Sequence, residues 1–266
     1  PPTGAPGPGV MLDGPPASAY CMRLHRPVET GRGSAGRPGM RRDVALAPFR
    51  VALTVDAEHP DRPHNLVGRE DALLEQLGEL DVRATFFIQG RWAEAFPDQA
   101  RRIADAGHLI GNHSHYHARM HLLTPAGLRE DLRTAADVIE RICRRDPVPW
   151  FRSPFGAGAS DPNVRDALAE LGYRQVLWSA SGDDWEPDKT PAAVEDDLVG
   201  SAIAHGDGAI LLLHTWPSHT HATIRSTVAR LRAAGAELVT LDALEPESIP
   251  DRWADEEATA ADRPAT

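Results

Sequence analysis

The chain lacks the features that place proteins in membranes or on nucleic acids. It has 266 residues, 41% of them hydrophobic, yet no apolar run approaches the roughly 18 residues of a membrane-spanning helix. The formal net charge is −11, and the lysines and arginines form no basic stripe of the kind that binds nucleic acid. We therefore expect no membrane span and no nucleic-acid partner.

Cysteine is almost absent. Cys21 and Cys143 form neither a metal-binding nor a redox spacing, and they predict no disulfide. The first residues also lack the basic and then apolar pattern of a secretory signal peptide. The default expectation is a cytoplasmic protein, although a removed leader would leave the same sequence. Nothing in the sequence indicates an oligomeric state.

The composition divides the chain into three regions. Residues 1–45 are rich in proline, glycine, alanine and arginine, so they cannot bury enough apolar surface to offset their ordering entropy, which predicts a disordered arm. An alternative is that Met40 is the natural start. Residues 46–246 predict one domain. Residues 247–266 are acidic and alanine-rich, which predicts a disordered tail.

Strand and helix patterns alternate through the central domain. This alternation predicts an α/β fold with a parallel sheet. Because polar residues follow several different strands, we expect a barrel of about seven parallel strands with flanking helices rather than an open sheet, whose polar residues would gather at one crevice. Strands are predicted at 49–56, 84–88, 108–111, 149–152, 174–178, 209–213 and 237–241. Helices are predicted at 68–80, 91–106, 124–143, 161–171, 191–204 and 221–234.

The most informative motif is His113-Ser-His-Tyr-His117. Two histidines four residues apart lie on one face if the segment is helical, and His115 then points away from them. Neutral imidazole is a common ligand of divalent transition metals. The motif therefore predicts that His113 and His117 bind a metal.

Two carboxylates follow the first predicted strand, in Thr54-Val-Asp-Ala-Glu-His59. Burying Asp56 and Glu58 at this point is costly without a function, although a helix cap or a surface loop is the simpler alternative. The functional interpretation gives the two carboxylates different roles. One carboxylate completes the metal site, and the other is the general base for an attacking water.

Three later segments supply further candidates. Arg152, before a proline–glycine turn, is a fixed cation that would orient the base carboxylate, and the turn can present a backbone N–H to an oxyanion. In the Asp184-Trp185 pair, the acid would orient a histidine and the indole would form a wall for a small acyl group. His214 ends the most apolar strand and would be the general acid, the alternative being a core histidine, and Trp216 would form an apolar rim.

Together these segments resemble the polysaccharide deacetylase (NodB-homology) family, also called carbohydrate esterase family four. The resemblance covers about residues 49–244, with five signature segments in the family's order. Two of them are His113-Ser-x-x-His117, which is intact, and Arg152-Ser-Pro-Phe-Gly156. The others are the segments around Asp56, around Asp184 and at Leu212-Leu-His214.

The resemblance implies a distorted (β/α) barrel and a divalent metal, usually zinc, with cobalt, nickel or manganese as alternatives. It implies hydrolysis of an acetyl group from an N-acetylated or O-acetylated carbohydrate. Carried over by motif, Asp56 is the base, Arg152 orients it, and Asp184 pairs with His214, the acid. By the same resemblance the Phe155 backbone N–H helps hold the oxyanion, and the acetate pocket is lined by Trp185 and Leu212.

One position departs from the family pattern. The family's metal-binding second aspartate is Ala57 here, which cannot bind a metal, and Glu58 stands one residue later. We predict Glu58 as the third ligand. The rivals are Asp56 on the metal with another base, or a weak or absent metal. The departure also keeps two other functions open, a deacetylase or amide hydrolase of a small metabolite and a non-catalytic sugar-binding relative.

Overall fold

The computed structural model describes residues 48–61 and 69–244. The predicted disordered arm at 1–45 and acidic tail at 247–266 lie outside the described residues, so both remain predictions. Within the described residues, the fold consists of eight parallel strands and seven α-helices. Among these helices, none is both long enough and apolar enough to cross a bilayer.

The strands are β1 (Phe49–Ala57), β2 (Thr85–Ile88), β3 (Leu109–Asn112), β4 (Trp150–Phe151), β5 (Arg174–Gln175), β6 (Ala180–Ser181), β7 (Ala209–His214) and β8 (Ala236–Val239). The helices are α1 (Arg69–Glu79), α2 (Gly90–Ala95), α3 (Pro97–Asp105), α4 (Pro125–Cys143), α5 (Pro162–Glu170), α6 (Pro191–His205) and α7 (Ser218–Ala233).

The sheet has the strand order β5-β4-β3-β2-β1-β7-β6, and every pairing is parallel. The short strand β8 pairs with residues 49–52 of β1, so it lies beside the amino half of β1 while β2 lies beside the carboxyl half. The edge strands β5 and β6 are joined by only four residues, 176–179.

This short connection requires the sheet to curl. Seven strands in a flat sheet would separate the two edges by about 29 Å, at about 4.8 Å per strand. The five residue steps from the end of β5 to the start of β6 span at most about 18 Å. The sheet therefore closes into a half-barrel, and the predicted distorted barrel with about seven parallel strands and flanking helices is confirmed.

The side chains of β1 point alternately to the main hydrophobic core and to the barrel interior, where the candidate site lies. Val51, Leu53 and Val55 point outward into the main hydrophobic cluster with the helices. Ala52 points inward, where it packs in a smaller cluster with the other residues that fill the barrel. Because successive side chains of a strand point to opposite faces, Asp56 faces the barrel interior as Ala52 does. The same period on β7 puts Leu212 and His214 on the face of Ile210.

Two predicted elements are corrected. The helix predicted at 91–106 is broken into α2 and α3 at Phe96, whose φ of −130° and ψ of 58° are not helical. Phe96 precedes Pro97, and the proline ring disfavours the helical conformation for the residue before it. The strand predicted at 174–178 ends at Gln175, and β6 follows. A strand of two residues is too short to show alternation in the sequence.

Candidate active site

The two carboxylates after β1 are both buried, Asp56 at 3% exposure and Glu58 at 4%. They face different partners. Arg152 Nη1 donates a hydrogen bond to Asp56 Oδ1 at 2.7 Å. Glu58 instead lies among histidines. Two neighbouring acids with different partners can perform different tasks, as the sequence interpretation requires.

Arg152 is fully buried and held on several sides. Its Nη2 donates to Thr54 Oγ1 at 2.7 Å and to the Leu177 carbonyl at 3.2 Å, and its Nε donates to the Val176 carbonyl at 3.3 Å. Its guanidinium also lies 4.2 Å from the centre of the Phe87 ring. Burial lowers the pKa of Arg152, but Asp56 opposes that shift and an arginine stays charged in proteins. The result is a fixed cation beside Asp56.

The segment carrying the two histidines is not helical, so a helical turn is not what brings them to one face. Instead, Ser114 and His117 adopt left-handed φ values of 67° and 58°. The Ser114 hydroxyl accepts a hydrogen bond from the His117 backbone N–H at 3.0 Å. This turn places the ring centres of His113 and His117 5.0 Å apart. His115 is buried away from the pair, with its Nε2 3.9 Å from Glu94 Oε2.

Asp131 on α4 holds this turn, and the sequence interpretation missed it. Its carboxylate accepts from the backbone N–H groups of His115 at 2.9 Å and Tyr116 at 3.0 Å. Asp131 is 4% exposed. A signal was present in the sequence, because Asp131 lies on the apolar stripe of α4 between Leu128 and Ala135, where an acid is costly without partners.

Glu58, His113 and His117 form a cluster that is able to hold a metal. One ligand atom from each lies within 4.8 Å of the others. Glu58 Oε2 is 3.1 Å from His113 Nε2 and also contacts His117 Nε2. Asp56 is set back, with its Oδ2 3.6 Å from His113 Nε2.

The protonation of these atoms fits a cation between them. His113 Nδ1 lies 2.9 Å from the Arg152 carbonyl, which can only accept, so Nδ1 carries the hydrogen. In a neutral imidazole, Nε2 then presents a lone pair toward Glu58 Oε2. The buried His117 Nε2 faces the same oxygen, Glu58 Oε2. A metal ion would satisfy both nitrogens and the carboxylate, and the Arg152 carbonyl would orient His113 for it.

Protonation equilibria favour the ligating forms. Burial raises the pKa of Glu58, but the neighbouring His113, His117 and His59 side chains outweigh burial and hold the pKa well below its ordinary value. Burial lowers the pKa of His117, although Glu58 opposes that shift. A deprotonated carboxylate and a neutral imidazole are the forms that bind metals.

On the other side of Glu58, Asp184 holds His214. His214 Nδ1 donates to Asp184 Oδ1 at 2.7 Å, and its backbone N–H donates to Oδ2 at 2.8 Å. The Thr220 hydroxyl also donates to Asp184 Oδ2. Burial lowers the pKa of His214, but the charge of Asp184 and its hydrogen bond, with Glu58 and Asp56, raise the pKa to about 9. His214 Nε2 faces Glu58 Oε1 at 3.8 Å.

The predicted substrate-binding residues surround these groups. The Trp185 ring centre is 5.2 Å from that of His214, and the Trp216 ring centre is 5.9 Å from it. Leu212 is buried two residues before His214 on the same face. Phe155, at a left-handed φ of 59°, is 55% exposed, and its ring centre lies 4.6 Å from that of His117. The structure thus brings all eleven predicted site residues to the carboxyl end of the sheet.

The sequence is similar to one family model and to several named proteins. Residues 44–176 match the family model described as polysaccharide deacetylase. The chain is 30% identical over 195 residues to the chitooligosaccharide deacetylase of Azorhizobium caulinodans, a match that covers 68% of this chain and 89% of that protein. It is 27% identical over 198 residues to the peptidoglycan-N-acetylglucosamine deacetylase of Bacillus cereus, covering 73% of this chain and 67% of that protein.

Solved structures agree. A CE4 family pseudoenzyme from Bacillus anthracis matches with a TM-score of 0.66 and 26% identity, covering 74% of this chain and 65% of that chain. A mutant of that pseudoenzyme with restored enzymatic activity matches with a TM-score of 0.65. This chain thus spans about two thirds of the length of some relatives and most of the length of others. It belongs to the polysaccharide deacetylase family.

Proposed function

We propose that the protein is a metal-dependent hydrolase that removes acetyl groups from an acetylated carbohydrate. The main observation behind this proposal is that two buried acids, Glu58 and Asp56, have different partners. Glu58 faces His113 and His117 within ligand distance, while Asp56 is paired with Arg152. The names of the relatives support the carbohydrate as substrate class.

Glu58, His113 and His117 would hold the metal, with zinc the best match to one carboxylate and two imidazoles. A bound divalent metal supplies Lewis-acid polarisation of the acetyl carbonyl and lowers the pKa of water. Asp56 takes the proton of the attacking water, and the hydrogen bond from Arg152 keeps Asp56 oriented.

The remaining residues complete the hydrolysis. Water attacks the carbonyl carbon, and the bond from that carbon to the sugar nitrogen or oxygen breaks. His214 Nε2 gives its proton to the leaving atom, while Asp184 stabilises the charged imidazole. The Phe155 backbone N–H helps hold the oxyanion, and the acetate pocket is lined by Trp185 and Leu212, with Trp216 at its rim.

Metal content and acetate release, measured on the same samples, test the proposal. Wild type should carry about one zinc per chain and release acetate from chitin oligomers or acetylated xylan. Glu58→Ala should lose both, and Asp56→Asn should keep the metal but lose about 10²–10⁴-fold in rate. The exposed positions Glu237→Ala and Asp207→Asn make the same chemical changes as controls. Metal kept in Glu58→Ala and lost in Asp56→Asn would make Asp56 the ligand.

Two alternatives are separated by the same samples. A non-catalytic sugar-binding relative is favoured by Ala57 and by the similarity to the Bacillus anthracis pseudoenzyme. That function predicts sugar affinity without acetate release, even in the zinc-loaded protein. A small-metabolite amide hydrolase predicts turnover of small amides and none of the oligosaccharides.

A further inference from the structure

The two oxygens of Glu58 have different surroundings. Oε2 faces the ligand histidines, 3.1 Å from His113 Nε2 and in contact with His117 Nε2. Oε1 accepts a hydrogen bond from the indole Nε1 of Trp216 at 3.3 Å and lies 3.0 Å from His59 Nε2. One oxygen is thus directed at the metal-binding cluster, and the other is engaged by nitrogens outside that cluster.

A glutamate in this position needs such support. Glutamate has one more rotatable bond than aspartate, so ordering its carboxylate loses more side-chain entropy. A free carboxylate can also bind a metal through one oxygen or through both. Because Ala57 cannot contribute a ligand, the orientation of Glu58 alone decides how the third ligand meets the metal.

His59 and Trp216 are themselves held in place. His59 has a left-handed φ of 58°, and its backbone N–H donates to the Gln89 side-chain oxygen at 2.9 Å. Its ring centre lies 4.4 Å from that of His117 and 6.3 Å from that of Trp216. Trp216 follows β7 by two residues and packs 5.9 Å from the His214 ring. Each nitrogen reaches Glu58 from a different strand-end loop.

We propose that His59 and Trp216 are positioning residues that bind Oε1 of Glu58 and so present Oε2 alone to the metal. The inference rests on the proposed function, because it needs a metal at Glu58, His113 and His117. It assigns Trp216 a polar task beyond the apolar rim expected from the sequence, and it gives His59 a task beside the ligand. Residues that orient metal ligands typically contribute 10–100-fold to metal affinity.

Zinc affinity of the metal-free full chain tests this without any substrate. A chromophoric chelator competes with the protein for Zn²⁺, and the zinc Kd is read from absorbance. Trp216→Phe keeps an aromatic ring but removes the N–H, so the Kd should rise by about 10–100-fold. His59→Leu should do the same. His59→Gln should stay within a few-fold of wild type, because its amide N–H can replace the imidazole Nε2–H.

Matched controls separate hydrogen bonding from packing. Trp92→Phe removes an indole N–H that has no hydrogen-bond partner among the residues that the structure describes, and His121→Leu removes an exposed histidine. Both should leave the zinc Kd unchanged. Equal zinc Kd values for wild type, Trp216→Phe and His59→Leu would overturn the inference. A Kd for His59→Gln as weak as that for His59→Leu would overturn the hydrogen-bonding role of His59.

These outcomes are distinct from failure of the proposed function. A wild-type protein that binds zinc and releases acetate, with variants that bind zinc as well as wild type does, overturns only the positioning role. A wild-type protein that binds no zinc removes the proposed function and this inference together.

Discussion

The two ends of β1 carry arginine–carboxylate pairs with nearly equal shortest nitrogen–oxygen distances in opposite environments. At the carboxyl end, Arg152 and Asp56 meet at 2.7 Å with side chains 0% and 4% exposed. At the amino end, Arg50 and Asp207 meet at 2.8 Å with side chains 28% and 51% exposed. Distance therefore does not distinguish these pairs, but exposure does.

The difference has energetic and functional consequences. An exposed ion pair contributes about 0–1 kcal/mol, because water screens it and both side chains lose freedom. A buried pair must overcome the desolvation of two charges, so it is weak evidence for stability. Buried charge at the carboxyl end, where the metal-binding cluster also lies, is better explained by function than by stability.

The largest change in the free energy of unfolding is expected for Arg152→Met. This change leaves Asp56 buried without its cation, which should lower the free energy of unfolding by about 3–5 kcal/mol. Arg50→Met at the amino end should lower it by at most about 1 kcal/mol. Urea denaturation of both variants measures the contrast. Similar losses in the two variants would show that the difference in exposure does not govern these pairs.

Asp131→Ala tests whether the carboxyl end depends on buried polar support. The change leaves the His115 and Tyr116 backbone N–H groups without their acceptor, and should lower the free energy of unfolding by about 2–3 kcal/mol. The zinc Kd should also rise, because these groups belong to the turn between His113 and His117. Asp137→Ala is the control, since Asp137 is exposed on the same helix. An unchanged zinc Kd in Asp131→Ala would show that the turn between His113 and His117 keeps its geometry without Asp131.

The pH dependence of the carboxyl end follows from His214. Its pKa of about 9 in the fold, against 6.5 for the ordinary group, is raised by Asp184 against the effect of burial. The protonated form is thus stabilised by folding, and this contribution is complete below pH 6.5 and disappears as the pH rises through about 9. NMR titration of the metal-free protein should show this pKa, and Asp184→Asn should lower it. No change in Asp184→Asn would remove Asp184 as the cause.

The Arg50–Asp207 pair at the amino end of β1 should show the smallest change in stability. Its pH dependence is opposite in sign to that of His214. Hydrogen bonds from Arg50 lower the pKa of Asp207 from 3.8 to about 2. The stabilising contribution is therefore present above pH 3.8 and disappears as the pH falls toward about 2. Because Asp207 is half exposed, Asp207→Asn should change the free energy of unfolding by at most about 1 kcal/mol near neutral pH. A larger change would contradict the screening argument.

Much of the fold could be predicted from the chain because its signals are local. The nearly continuous apolar runs of β1 and β7, and Thr124 and Pro125 at the start of α4, predicted those elements near their observed bounds. The break at Phe96 and the two-residue strand β6 were missed. The break at Phe96 has a local cause, because Pro97 follows it. The short strand β6 is determined by its pairing with β7 rather than by a repeating pattern in the sequence.

The candidate site, like the fold, could be predicted from the sequence only in part. The sequence by itself predicted most of the residues that lie together at the candidate site, because motif order and strand ends pointed to Asp56, Glu58 and the histidines. The sequence predicted Glu58 beside His113 and His117 with Asp56 as the rival, and the tertiary structure places Glu58 there. Only the tertiary structure decided that a left-handed turn joins those histidines and that Asp131 supports the turn. The physical reason is that residue type and spacing are properties of the chain, whereas the direction of a carboxylate depends on partners that other strands and helices bring to it.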